Sequence, residues 1–204
     1  MKSDYDNHRF AFEEVKDCSG TDIFEFGVYS GQSLYSILNK CKEANIKPRR
    51  VFGFDSFCGL RLEESDKVVH EQWVDGSFDA RRLFKINSPE HISVELTKYF
   101  KSKGFDVRLI VGEFNKLSKT TIDIHDIGQA FYINIDCDLY SSAKQALNFI
   151  FDNNLLAING LIRYDDYHAV KGGGEELAHR ELAEERGVRF DYLESCIFKY
   201  RGRQ

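Results

Sequence analysis

The sequence predicts an α/β fold, with a mostly parallel sheet and helices on both faces. Three observations predict it. Short apolar runs alternate with longer segments whose apolar residues recur at helical spacing. A glycine turn, Gly27-Val28-Tyr29-Ser30-Gly31, separates the first run from the first helical segment. Acids close later runs: Asp55, then Asp136 and Asp138, then Asp165 and Asp166. Ligands bind beyond the carboxyl ends of parallel strands, so polar groups gathered at those ends suit this fold.

The elements follow in order. Asp22-Ile23-Phe24-Glu25-Phe26 reads as a first buried strand. Ser33 to Lys42 is a helix with Leu34, Ile37, Leu38 and Cys41 on one face. Val51 to Asp55 is the second strand. Residues 56–87 carry many charges and no clear period, and read as an insertion. Ser88-Pro89-Glu90 opens the next helix, with a Ser N-cap, Pro at the first helical position and an acid in the first turn. Val107 to Val111 and Phe131 to Ile135 are the third and fourth strands. Ser141 to Asp152 is a helix with Ala143, Ala146, Leu147 and Ile150 at helical spacing. Leu161 to Tyr164 is the fifth strand, and Glu175 to Arg186 a helix ended by Gly187. Phe190 to Leu193 and Cys196 to Tyr200 form a closing hairpin. The expected organisation is one domain over residues 1–204, with a helical segment at 1–20 and the insertion at 56–87.

Composition narrows the function classes. Hydrophobic residues make up 42% of the 204 and charged residues 30%, as in soluble globular proteins. The net charge of -5 argues against nucleic-acid binding. No apolar run approaches the roughly 20 residues that span a bilayer, so no membrane partner is expected. Met1 to Asp17 holds no signal-peptide core. The five cysteines are scattered and form no CxxC, which points to a reduced, cytoplasmic protein.

The strand ends carry the chemistry. Glu25-Phe26-Gly27-Val28-Tyr29-Ser30-Gly31 has the form acid-x-Gly-x-x-x-Gly, which departs from the GxGxxG dinucleotide fingerprint. Its glycines allow close approach of a ligand, and its acid attracts an ammonium group rather than a pyrophosphate. A plain strand–helix turn is the competing reading. Asp55 stands where an acid accepts hydrogen bonds from ribose hydroxyls, or caps a turn. Gly112-Glu113 occupies the next strand end, where an adenine would lie.

Asp136, Asp165 and Asp166 offer oxygen ligands to a hard cation such as Mg²⁺. Capping of the following helices is the alternative, but clustered acids repel unless neutralised. Asp138 shares the cleft and is a candidate general base toward an acceptor hydroxyl whose pKa a nearby dication lowers. His168 is a second candidate for base or substrate contact, or else a solvated loop histidine. Lys171-Gly172-Gly173-Gly174 reads as a flexible lip. Trp73, the only tryptophan, packs the insertion onto the sheet or stacks on a ligand.

These pieces together resemble the macrocin O-methyltransferase (TylF-like) family of S-adenosylmethionine-dependent enzymes. The matching stretches are Ile23 to Gly31, Val51 to Leu60, Gly76-Ser77-Phe78, Ile135 to Ser142 and Asp165-Asp166-Tyr167, covering roughly residues 20–185. The Phe54-Asp55-Ser56-Phe57 and Asp136-Cys137-Asp138-Leu139-Tyr140 segments are the specific ones. The resemblance implies a class I methyltransferase fold with a seven-stranded sheet. It implies an S-adenosylmethionine pocket lined by Glu25, Gly27, Gly31, Asp55 and Ser56. Tyr29 and Ser30 of the turn and Ser33 of the helix after it, with Gly112, Glu113 and Asp136, join that pocket. It further implies Mg²⁺ on Asp136, Asp165 and Asp166, with Asp138 as base, a small-molecule hydroxyl acceptor such as a sugar, and a homodimer. Two departures are Asn115-Lys116-Leu117 after strand three and Arg163 in a strand that the family keeps apolar. Two rival readings remain: a metal-dependent glycosyltransferase using Asp136-Cys137-Asp138, and a catalytically silent domain of the same fold.

Overall fold

A computed structural model describes residues 7–15, 18 and 20–203, with backbone only at 7, 9 and 10. Helix α1 (Asn7–Glu14) precedes β1 (Asp22–Phe26), α2 (Gln32–Glu43) and β2 (Val51–Asp55). Then come α3 (Ala80–Phe84), α4 (Pro89–Ser102), β3 (Val107–Val111), a 3-10 turn (Phe114–Lys116) and α5 (Lys119–His125). The chain closes with β4 (Ala130–Ile135), α6 (Tyr140–Asp152), β5 (Leu156–Tyr164), α7 (Gly174–Arg186), β6 (Val188–Tyr192) and β7 (Ile197–Arg203). Within the expected helical segment at 1–20, α1 is the described helix; residues 1–6, 16, 17 and 19 lie outside the described residues.

The seven strands form one sheet in the order β3-β2-β1-β4-β5-β7-β6. The first five pair in parallel, whereas β7 runs antiparallel to β5 and to β6. Side chains alternate faces along each strand. One face presents Phe24, Phe26, Phe52, Phe54, Ile133, Ile135, Ile162 and Tyr164 to α5, α6 and α7. Phe26 and Phe54 stack there at 4.5 Å between ring centroids. The other face presents Ile23, Tyr132, Leu161 and Ile197 to α1, α2 and α4. Covering both faces explains why the strands read as continuous apolar runs rather than alternating ones.

Several details differ from the sequence expectation. Strand β5 starts at Leu156, because Ile158 is exposed and Asn159 adopts φ 65°, which breaks the apolar run. The insertion contains α3, and α5 follows β3; at 5 and 7 residues neither is long enough to show a period. Trp73 packs rather than protrudes, 7% exposed and 3.9 Å from the space a Cβ on Gly174 would take. Gly173 and Gly174 are themselves packed, against the Val68 and Asp138 carbonyls. The loop is a seat for the insertion.

Candidate active site

The strand order reverses between β1 and β4, and the cleft opens there, beyond the carboxyl ends of the parallel strands. Its volume is about 470 Å³. Gly27, Tyr29 and Ser30 line it from the first turn, Ser33 from the start of α2, Asp55 and Ser56 from the second strand end, and Gly112 and Glu113 from the third. Asp136, Asp138, Asp165 and Asp166 line it from β4 and β5.

Gly27 is the hinge of this arrangement. Its N–H donates to the Phe54 carbonyl, and the Asp136 N–H donates to the Phe26 carbonyl. Its φ is 90°, and a Cβ there would sit 1.7 Å from the Asp136 carbonyl oxygen. Only glycine lets the β1 turn lie against the loop after β4.

Asp55 organises the turn. Its Oδ2 accepts from the Val28 and Tyr29 N–H groups, both at 2.7 Å, and its Oδ1 from Phe57 N–H at 2.6 Å. A carboxylate has about four acceptor positions, so one remains for a ligand hydroxyl. Burial pushes the Asp55 carboxyl above the usual carboxylate range, and the three N–H donors hold it partly back.

The acids converge as the spacing predicts. Oxygens of Asp136, Asp165 and Asp166 lie within 4.8 Å of one another. Burial, then the charge of Asp165, pushes the Asp136 carboxyl up. Burial, then the charge of Asp166, raises Asp138, which is 9% exposed. Asp138 adopts φ 63°, a conformation that turns its side chain out of the strand path.

Three predicted residues stand elsewhere. His168 is exposed, edge-on to Tyr167, and is not among the cleft-lining residues. Gly31 caps α2 with φ 79° and packs toward Phe100 and Leu96 rather than lining the cleft. Glu25 is fully buried behind the wall, where its Oε1 accepts from Ser33 Oγ at 2.5 Å. Burial, then Asp136, pushes its carboxyl well above the usual range.

The structure adds residues that sequence reasoning missed. Glu175 opens α7 and is fully buried. Its Oε1 accepts from Cys137 N–H at 3.2 Å and its Oε2 from Asp166 N–H at 3.0 Å. One side chain thus clamps the two acid-bearing loops. Asp66, from the insertion, accepts from Ser141 N–H at 2.8 Å and Ser141 Oγ at 2.7 Å, capping α6 from outside its own segment. No local pattern marks these residues; their partners are distant in sequence.

The sheet order, with its cleft at the reversal, defines a class I methyltransferase fold. The sequence model of the macrocin-O-methyltransferase (TylF) family matches residues 5–192. The chain belongs to that family, and its enzyme class is O-methyltransferase. Among solved structures, CalS11, a calicheamicin methyltransferase, superposes with a TM-score of 0.68 at 20% identity, over 98% of this chain and 78% of its own. The O-methyltransferase NovP gives 0.67 at 19% identity, over 98% and 79%. The S-adenosylhomocysteine (SAH)-bound methyltransferase PaMTH1 of Podospora anserina gives 0.54 at 13% identity, over 100% and 89%. A comparison with curated proteins yields no match. Family membership sets aside the glycosyltransferase reading of Asp136-Cys137-Asp138.

Proposed function

We propose that this enzyme uses S-adenosylmethionine and Mg²⁺ to methylate a hydroxyl of a sugar or small natural product. The observation that carries the reading is the contact of Gly27 with Asp136, which puts the glycine turn and the acid cluster in one cleft. The residues fit both groups. Three carboxylates with oxygens within 4.8 Å of one another form an all-oxygen donor set suited to a hard dication. The cleft falls in the size range of small-molecule sites.

In this reading Tyr29, Ser30 and Ser33 hold the amino-acid end of the cofactor, Asp55 and Ser56 its ribose, and Gly112 and Glu113 its adenine. Glu25 supports the turn from behind through Ser33. Asp136, Asp165 and Asp166 hold the cation. When bound, S-adenosylmethionine supplies the methyl group and Mg²⁺ the Lewis acidity that lowers the acceptor hydroxyl's pKa. The proton lost by that hydroxyl passes to the Asp138 carboxylate. His168, being exposed, serves at most the rim of the acceptor site.

The sugar class is supported by the family and by CalS11, whose apo form is described as a TDP-rhamnose 3'-O-methyltransferase. A cytoplasmic location rests on the scattered cysteines, which form no CxxC. The homodimer and the single domain over 1–204 rest on the family resemblance and on the composition.

Calorimetry with SAH tests the cofactor assignment: saturable one-to-one binding is expected, and no binding at millimolar ligand defeats it. Asp138→Asn is expected to abolish turnover while leaving SAH binding intact; normal turnover removes Asp138 as the base.

A further inference from the structure

One buried polar row crosses the apolar centre of the sheet face under α1, α2 and α4. Glu25 of β1, Asn134 of β4 and Arg163 of β5 are register partners on adjacent strands. Glu25 and Asn134 are 0% exposed and Arg163 is 2% exposed, among Ile23, Tyr132, Leu161 and Ile197. Arg163 Nη1 donates to Asn134 Oδ1 at 3.0 Å, and Asn134 Nδ2 donates to Glu25 Oε1 at 3.1 Å. The same Glu25 oxygen accepts from Ser33 Oγ. At the other end, Arg163 Nη2 donates to Asp165 Oδ1 at 2.6 Å. Apolar side chains would fill this row at no cost in stability, since a buried ionic row is seldom better than a well-packed apolar one. The row is also incompletely satisfied: Glu25 Oε2 and Arg163 Nε lack partners among the described residues.

We propose that Arg163 is a positioning residue, whose guanidinium fixes the Asp165 carboxylate for the cation and ties it through Asn134 and Glu25 to Ser33, at the start of α2 beside the glycine turn. The inference rests on the metal reading above. Asp165 is the exposed member of the triad, so it most needs an orienting partner. The planar fork of Arg163 reaches Asn134 and Asp165 at once; a lysine ammonium at that position is a point charge without that fork. The row also explains why an arginine occupies a strand whose neighbours are apolar.

The test is Mn²⁺ affinity, measured by titration of the SAH complex of the wild type, Arg163→Gln and Arg163→Lys. Both variants are expected to bind Mn²⁺ about tenfold more weakly, the low end of what loss of a ligand-orienting partner costs. The lysine variant separates orientation from charge, since it keeps the charge and loses the fork. A folded variant with wild-type Mn²⁺ affinity overturns the inference. If both variants fail to fold, a Mn²⁺-loaded wild-type structure decides: Arg163 kept on Asp165 supports it, and Arg163 turned away overturns it. Wild type that binds SAH but no Mn²⁺ defeats the metal reading and this inference with it. Wild-type binding unchanged in the variants defeats the inference alone.

Discussion

Gly27 and the acids set the chemistry at the scale of single residues. Gly27→Ala would place a Cβ 1.7 Å from the Asp136 carbonyl oxygen in a backbone with φ 90°. The strain and overpacking should cost about 3 kcal/mol of stability. SAH binding should be lost, and a thermal-shift series with and without SAH reads both effects. The acids predict a pH dependence whose sign follows from the direction of their shifts. Asp136 and Asp138 have folded pKa values raised above 3.8, chiefly by burial and then by each other's neighbours. Their contribution to stability is therefore full below the unfolded value, and is lost as pH rises through the folded one. Metal-free protein should lose thermal stability between the ordinary carboxylate range and about pH 9, through about 8 for Asp136 and about 9 for Asp138. Mg²⁺ affinity should climb over the same window, with protons released on binding. Calorimetry in buffers of different ionisation enthalpy checks this, and pH-independent affinity contradicts it. The four acids were legible in the sequence because each closes an apolar run. Glu175 and Asn134 were not, since their partners lie on other strands and loops; Arg163 stood out as a charge in an apolar strand, but its bond to Asn134 of β4 did not. His168 looked plausible only because it follows Asp165 and Asp166 closely, and nearness in sequence did not bring it into the cleft.

At the scale of elements, the insertion between β2 and α4 forms one wall of the site. Leu60, Arg61 and Glu63 line the cleft, and Asp66 pins the segment to the start of α6. Helix α6 has no side-chain cap of its own at Leu139, so Asp66 satisfies one of its first N–H groups, that of Ser141, from a distance. Asp66→Ala should cost about 1 kcal/mol, the usual worth of a cap. It should also weaken SAH binding severalfold while leaving the acid cluster in place. An unchanged KM for S-adenosylmethionine in that variant would show that the insertion does not shape the pocket. The strands were legible because buried parallel strands are near-continuous apolar runs, and the helices because their apolar stripes repeat. The insertion was recognised only as aperiodic. Its order comes from long-range contacts, Asp66 with Ser141 and Val68 with Gly173, which no local pattern records.

At the scale of the whole molecule, the two ends of the sheet have different tasks. The carboxyl ends hold the cleft. At the opposite end, buried Asp22 accepts a two-pronged bond from Arg49, at 2.9 and 2.7 Å, and a further bond from Gly128 N–H. Arg49→Ala leaves that carboxylate partly uncompensated and should cost about 2 kcal/mol, less than a fully buried pair because Arg49 is part-exposed. Chemical denaturation measures that loss. SAH affinity should not change, because the pair lies away from the cleft. The alternation of elements made the fold class legible, and the motif resemblance supplied the strand count. The strand order, and with it the reversal between β1 and β4, emerges only from how the crossovers pack. In the proposed reading cofactor and cation share one cleft, joined where Gly27 meets Asp136. Paramagnetic relaxation of bound SAH by Mn²⁺ tests it most directly. Protons flanking the SAH sulfur should relax fastest and the adenine protons slowest. SAH that binds with no Mn²⁺-dependent relaxation, or with the adenine most affected, would contradict it.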